Sequence, residues 1–271
     1  MPNKRAANLL VECLINQGVD KIYGVPGESY LSVLDALYDF NEKIRFISTR
    51  HESAASFMAE AYGKLTGEAG ICFVTRGPGA TNASIGVHTA MQNSSPMILF
   101  IGQIARDMTE REAFQEIDYK AYFGSISKWV VQVNNADRLP EIIGRAFSVA
   151  LSGRPGPVVV SLPEDMLREL TNATAVSKIK KSCAHISTNQ INVIKDELEK
   201  SKRPLIICGG GGWTDTGRDY LKSFSESTNI PVICAFRNQD LMDANSYAYV
   251  GDASFGKPCL LYTSPSPRDR G

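Results

Sequence analysis

Apolar runs alternate with amphipathic stretches from the start of the chain. Residues 4–17 carry apolar positions three and four apart, the helical period, and Gly18 suits the position just past the helix end. KIYGV (21–25) reads as a short strand followed by the turn PGES. YLSVLDALYDF (30–40) reads as a second amphipathic helix, IRFIS (44–48) as a strand, and 53–66 as a helix that stops at Gly67. GICFVT (70–75) is a continuous apolar strand, PMILFIG (96–102) the next buried strand, and GPVVVSLP (156–163) a further strand. Strands look like this when helices cover both faces of a parallel sheet. RGPGATN (76–82) turns the chain into a helix over 80–92, and 137–152 is helical in pattern after a long polar loop.

This rhythm predicts an α/β fold, a doubly wound parallel sheet over residues 1–170. Residues 171–189 are polar and basic with little periodicity, and read as an interdomain linker. A second, truncated α/β unit of Rossmann-like pattern occupies 190–256, with helices over 190–200 and 215–228 and strands over 204–209 and 230–235. Residues 257–271 read as a disordered, non-native tail; their CLLYTSPSPRD resembles translated sequencing-adapter read-through.

Charge and composition narrow the function. Lys+Arg and Asp+Glu balance at 29 each, with no basic stripe, which speaks against a nucleic-acid partner. No apolar run is long enough to cross a membrane, and the N-terminus reads as an amphipathic helix rather than a signal peptide, so a cytoplasmic protein is expected. The six cysteines form no CxxC pair and read as reduced thiols rather than metal ligands. Zinc-hydrolase, serine-elbow and P-loop motifs are absent from the sequence.

Ligands of such sheets bind at the carboxyl ends of strands. Three turns fall there: Pro26-Gly27, Arg50-His51-Glu52 and Gly77-Pro78-Gly79. Glu52 heads a helix whose own face continues through Ala55, Ala59 and Tyr62, with Ala54, Phe57, Met58, Ala61 and Leu65 beside it. That company suggests a buried helix end, where the helix N-terminus offsets desolvation by about 0.3–1 kcal/mol. The plainer reading is a capping acid, and spacing alone leaves both open. CGGGGW (208–213) suits close approach to a nucleotide pyrophosphate, or simply a tight turn.

In sequence order, YGVPGES, RHESAASFMAEAYGKLTG, VTRGPGATNASIGVHTA, SSPMILFIGQ and GRPGPVVVSLPED resemble thiamine-diphosphate-dependent enzymes of the acetohydroxyacid synthase (acetolactate synthase) group. The likeness runs from residue 4 to about 256. It implies that Glu52 shares a proton with a ring nitrogen of the cofactor's aminopyrimidine. It also implies a pocket lined by Pro26, Gly27, Thr75, Pro78 and Asn82. Phe114 and Gln115 match positions over the reacting centre and the substrate, and Arg154, Gly209, Gly210 and Gly211 match positions that contact FAD.

The implied reaction decarboxylates a 2-keto acid, pyruvate, and ligates the product into an acetohydroxy acid of branched-chain amino acid biosynthesis. The implied assembly is a homodimer or tetramer with the site between subunits and room for a regulatory subunit. Apolar exposed faces on helices 53–66 and 80–92 are therefore expected. Mg²⁺ would be held by a further domain, whose Gly-Asp-Gly motif this sequence lacks, so the chain alone is expected to be inactive and to hold no metal. Gln92 stands near a place where the synthases carry Asp, and Arg76 where a small residue is usual. These departures keep a related 2-keto-acid decarboxylase, a benzaldehyde-lyase-like carboligase or an oxalyl-CoA decarboxylase open. From another class, a non-catalytic nucleotide-binding module would use only the glycine turn at 209–212.

Overall fold

The computed structural model describes residues 3–182 and 184–253. The tail expected over 257–271 and the thiols of Cys183 and Cys259 lie outside these residues. The chain divides into two compact units that part after residue 183.

The first unit runs β1 (Lys4–Arg5), α1 (Ala6–Asn16), β2 (Lys21–Gly24), α2 (Leu31–Asp39), β3 (Arg45–Ser48), α3 (Glu52–Thr66), β4 (Gly70–Val74) and α4 (Gly77–Asn93). It continues through β5 (Met97–Gln103), α5 (Tyr119–Phe123), β6 (Trp129–Gln132), α6 (Leu139–Leu151), β7 (Pro157–Pro163) and β8 (Leu170–Thr171). Six strands form one parallel sheet in the order β3-β2-β4-β5-β7-β6, the architecture expected from the alternating pattern. β1 and β8 pair antiparallel as a separate two-residue ladder.

Strand alternation explains the two cores. On β4 and β5, Ile71, Phe73, Ile98 and Phe100 face α1, α2 and α6. Cys72, Val74, Met97, Leu99 and Ile101 face α3, α4 and α5. Every residue of β4, β5 and β7 is buried, as their unbroken apolar sequences require. Phe73 stacks on Phe100 with ring centroids 4.6 Å apart, fixing the centre of the sheet.

Two stretches of the first unit differ from the pattern read along the chain. α4 begins at Gly77, three residues before the expected helix. Pro78 sits in its first turn, where a missing N–H costs nothing and a fixed φ favours the helix. The long polar loop before residue 137 contains α5 and the edge strand β6. The side chain of Asp118 caps α5 by accepting from the N–H groups of Lys120 and Ala121. β6 is half-buried throughout and too short for its period to stand out.

Small residues let α3 lie against its neighbours. A Cβ on Gly86 of α4 would fall 2.2 Å from Ser56 Oγ and 2.8 Å from the Ser56 carbonyl carbon. A Cβ on Gly63 would fall 2.1 Å from the carbonyl oxygen of Pro96. The buried Glu60 carboxylate ties the far end of the pair, accepting from Asn93 Nδ2 at 2.9 Å and Ser95 Oγ at 2.7 Å. Gly67 then ends α3 in the left-handed region, with φ +67°.

The segment between β5 and α5 is rooted by one guanidinium. Arg106 donates through Nε to Asp165, through Nη1 to the Asn134 carbonyl and through Nη2 to Glu169. Residues 172–181 hold no helix or strand. Gln17 meets them twice, donating to the Ser177 carbonyl at 2.9 Å and accepting from the Ile179 N–H at 2.9 Å.

The second unit runs α7 (Thr188–Lys200), β9 (Ile206–Cys208), α8 (Asp215–Thr228), β10 (Val232–Cys234) and β11 (Tyr249–Asp252). Its parallel strands lie in the order β11-β10-β9, and β11 adds a strand to those read from the pattern. Ser187 and Gln190 form a capping box that starts α7 two residues before the expected helix. The core is small: Cys208, Val232, Cys234, Leu241, Met242 and Ala248.

Two predictions follow from this packing. Gly86→Ala overpacks the α3–α4 contact and lowers stability by about 1–3 kcal/mol. A urea midpoint unchanged from the parent would show that the helices do not meet there. The second concerns Asp165. Burial pushes its carboxyl up, but hydrogen bonds from the Arg106 side chain and N–H outweigh this and hold it below its ordinary value of 3.8. A depressed carboxyl contributes stability above the ordinary value and loses it as pH falls through the folded-state value. Melting curves of the parent and Asp165→Asn should therefore differ at pH 7 and converge in acid. A gap that persists at low pH would remove the ion pair as its cause.

Candidate active site

The strand order sets the location. From β2 the chain steps to β3 at the sheet edge, then returns to the other side of β2 as β4 and moves on to β5. The connections leaving β2 and β4 therefore run in opposite directions. A crevice opens between their carboxyl ends, the switch point where such sheets bind ligands. The turn after β2 holds Pro26 and Gly27, and the turn after β4 holds Thr75 to Gly79. α3, entered from β3, brings Glu52 to the same crevice.

Each arriving side chain is fixed locally. His51 is the N-cap of α3, its ring Nδ1 accepting from the Ser53 N–H at 3.2 Å, so Glu52 occupies the first helical position. The negative charge lies where the helix N-terminus favours it. Asn82, in the second turn of α4, donates through Nδ2 to Glu52 Oε2 at 2.9 Å. The other carboxylate oxygen faces the first turn of α4, where a Cβ on Gly79 would lie 3.5 Å from Glu52 Oε1 and 2.9 Å from Thr75 Cγ2. Glu52 is half-buried rather than enclosed, so it keeps a side open to a ligand.

The other wall is as close. A Cβ on Gly27 would lie 2.6 Å from Thr75 Cβ, so glycine there lets the two turns touch. Ser29 Oγ and Thr75 Oγ1 are 2.9 Å apart and share a hydrogen bond. Tyr30 donates its hydroxyl to the Val25 carbonyl and closes the first turn on itself. Burial of Tyr30 and Cys72 pushes the hydroxyl and the thiol up, and Glu52's charge adds to both shifts. Both groups therefore stay protonated beside the carboxylate.

The structure brings most of the expected residues together. Pro26, Gly27, Glu52, Thr75, Pro78 and Asn82 all belong to the three converging turns and the first two turns of α4. Gln115 reaches them through its backbone: its carbonyl accepts from the Gly77 N–H at 3.1 Å, and its φ is +68°. Phe114, the preceding residue, is 75% exposed.

Arg154 is elsewhere. Its guanidinium donates to Ser94 Oγ and to the Met91 and Gln92 carbonyls, at the C-terminus of α4. α4 has 17 residues, so its ends are about 25 Å apart. Gly209, Gly210 and Gly211 belong to the second unit, between β9 and α8. Gly210 has φ +76°, and a Cβ on it would meet nothing within 4 Å. Asn238 Nδ2 donates to its carbonyl at 3.1 Å.

Two contacts, one at the crevice and one at the far end of the α3–α4 pair, had no counterpart in the sequence reading. Arg76 forms an ion pair with Glu28, joining the β4 turn to the β2 turn. The acid at Glu60 is buried on the small-residue face of α3. The visible signals were a large cation directly before Gly-Pro-Gly and a Glu four residues past Ser56 on an otherwise small-sided face.

Comparison with known proteins places both units. Residues 4–122 match the family model described as "Thiamine pyrophosphate enzyme, N-terminal TPP binding domain". Residues 191–259 match "Thiamine pyrophosphate enzyme, central domain". The chain is 37% identical over 235 residues to the acetolactate synthase isozyme 3 large subunit of Escherichia coli, covering 84% of this chain and 41% of that one. It is 30% identical over 262 residues to the acetolactate synthase of Bacillus subtilis, covering 96% and 45%. With the probable acetolactate synthase large subunit of Methanocaldococcus jannaschii the identity is 35% over 237 residues, covering 84% and 39%. The chain thus spans about two fifths of the length of these relatives. With a six-stranded parallel sheet, a carboxylate at its switch point and both domain matches in sequence order, the chain belongs to the thiamine pyrophosphate enzyme family.

Proposed function

We propose that the first unit holds the aminopyrimidine ring of thiamine diphosphate, with Glu52 as its catalytic proton partner. The parent enzyme would decarboxylate pyruvate and join the remaining two-carbon unit to a second 2-keto acid, giving an acetohydroxy acid. The observation that carries this reading is the half-buried Glu52 carboxylate at the strand ends, held on one oxygen by Asn82 with the other beside Gly79. The names of the relatives favour acetolactate synthesis over the neighbouring decarboxylase chemistries.

The residues present fit a flat heteroaromatic ring. Gly27 and Gly79 let the turns after β2 and β4 close on Thr75, and Gly79 lies beside the carboxylate, so bare backbone borders the proposed ring slot. When bound, the cofactor supplies a carbon acid that adds to the keto group and accepts the electron pair released with CO₂. Glu52 shares a proton with a ring nitrogen, which requires a carboxyl group within hydrogen-bond reach and shielded from bulk water. Asn82 keeps that carboxylate in line. Pro26, Gly27, Thr75 and Pro78 line the ring's slot. Gln115, tied to Gly77, sets the edge of the substrate space, and the exposed Phe114 is placed to cover it.

Further parts of the reading rest on the family. Residues 1–170 form the pyrimidine-binding domain, 171–189 the linker, and the central domain begins at 190. Mg²⁺ would be held outside the described residues, among which no His, Cys, Asp or Glu cluster could hold a metal. On the family resemblance, Gly209, Gly210 and Gly211 of the second unit would contact FAD, and Arg154 is carried over as a further FAD residue by the same resemblance alone. A cytoplasmic location agrees with four buried free thiols and with the lack, among the described residues, of any helix long and apolar enough to cross a membrane. The words "large subunit" in the relatives' names support a regulatory partner.

A homodimer is supported by the outward faces of α3 and α4. Phe57, Met58, Leu65 and Ile85 are exposed there, an apolar group with no cover in the monomer.

Two measurements test these readings. Calorimetric titration of thiamine into the purified chain should show binding that Glu52→Gln weakens about tenfold, the effect of losing a charge-assisted hydrogen bond. Equal affinities would remove Glu52 as the ring's partner. Sedimentation of the parent should show a dimer, and Phe57→Glu with Met58→Glu should shift it to monomer. A strict monomer in the parent at high concentration would end the dimer reading.

A further inference from the structure

Arg76 and Glu28 are unequally placed. The Arg76 side chain is 11% exposed and the Glu28 side chain 67%. A guanidinium loses most of its hydration at that depth, and one exposed carboxylate meets it through Nη2. Its Nε is buried with no hydrogen-bond partner. The only other buried side-chain nitrogen or oxygen without a partner among the described residues is the hydroxyl of Tyr119. Tyr119 packs in the same cluster as Val74 and Ala80, which flank the Arg76 turn. Incomplete polar satisfaction is thus concentrated at one place, the N-cap of α4. Such groups persist where surrounding contacts hold a geometry that the local chain would not choose.

The geometry held is the spacing of the crevice. Two links cross from the β2 turn to the β4 turn: Ser29 to Thr75, and Glu28 to Arg76. Arg76 is the residue directly before Gly77, and Asn82 lies on the same helix, five residues past Gly77. Without Glu28, the buried guanidinium has no counter-charge, and its favourable course is to swing into solvent. The N-terminus of α4 would then lose its charged tether, and Asn82 its fixed relation to Glu52.

We propose that Arg76 and Glu28 are positioning residues of the pyrimidine site, a charged clamp that sets the distance between the two turns and so the alignment of Asn82 on Glu52. This rests on the pyrimidine reading above for its ligand, but its geometry stands independently. The test is a double-mutant cycle on the full chain with Arg76→Gln, Glu28→Gln and both together. Thiamine affinity is read by calorimetry, and hydrogen exchange at the Gly77, Gly79 and Ala80 amides by mass spectrometry. Melting curves confirm that each variant is folded.

Each single change should weaken thiamine binding about fivefold, and the double change should lose no more than either single, the mark of two residues acting as one unit. Exchange at the three amides should rise equally in all three variants, with the β5 amides unchanged. Losses that multiply in the double variant, or single variants that bind like the parent, would overturn the clamp. If the parent itself binds no thiamine, the pyrimidine reading fails. The clamp is then judged on exchange alone, where amides unchanged from the parent would overturn it.

Discussion

The close approach of α3 and α4 governs the rest of the first unit. At Ser56 and Gly86 the two helices leave no room for one additional carbon. That contact decides where the N-terminus of α3 sits relative to the second turn of α4. The hydrogen bond between Asn82 and Glu52 is its direct result, since the two residues are 30 positions apart and share no local structure. The buried Glu60 pins the opposite end of the pair through Asn93 and Ser95. Removing a partner from such a buried carboxylate leaves an unpaired polar group, which costs about 1–3 kcal/mol. The site is therefore built by packing behind it as much as by the residues that line it.

Sequence reading succeeded where burial leaves a simple pattern. β4, β5 and β7 are enclosed on both faces, so no polar residue interrupts the strand cores read as GICFV, MILFI and PVVV. Glycines at tight approaches were equally plain, because Gly27 and Gly79 sit beside proline in turns at strand ends. What failed to show was short or half-exposed. α5 has five residues and β6 four, too few for a period to emerge from surrounding polar residues. The first turn of α4 was hidden because Gly-Pro-Gly signals a turn in isolation, and only the helix behind it makes Pro78 a helix starter. The Arg76–Glu28 pair spans 48 positions and follows from strand order, which periodicity does not encode. Glu52 was legible as a residue at a strand-end turn. Its partner Asn82 became meaningful as a partner only once α4 was placed.

The second unit shows the same logic with less material. Its core is six buried residues, and α7 buries none of its own. The glycines after β9 make a turn whose carbonyls are taken by Trp213 and Asn238. Backbone that is this open suits a ligand phosphate and suits a tight turn equally, so the family match rather than the turn itself assigns the unit.

The distribution of charge in the crevice bears on how Glu52 could work. In the proposed role Glu52 exchanges a proton with a ring nitrogen, and a cation beside a carboxylate favours its ionised form. The chain has a guanidinium at the very next turn, on Arg76. Its ion-pair partner is Glu28, while the contact to Glu52 comes from the neutral amide of Asn82. The amide orients the carboxylate without placing a charge beside it. The exposed acid on the β2 turn thus does two things at once: it anchors the N-terminus of α4, and it offers the nearby cation a carboxylate other than Glu52. On the proposed reading, a charge placed for architecture is separated in this way from one placed for proton exchange, although both line the same crevice.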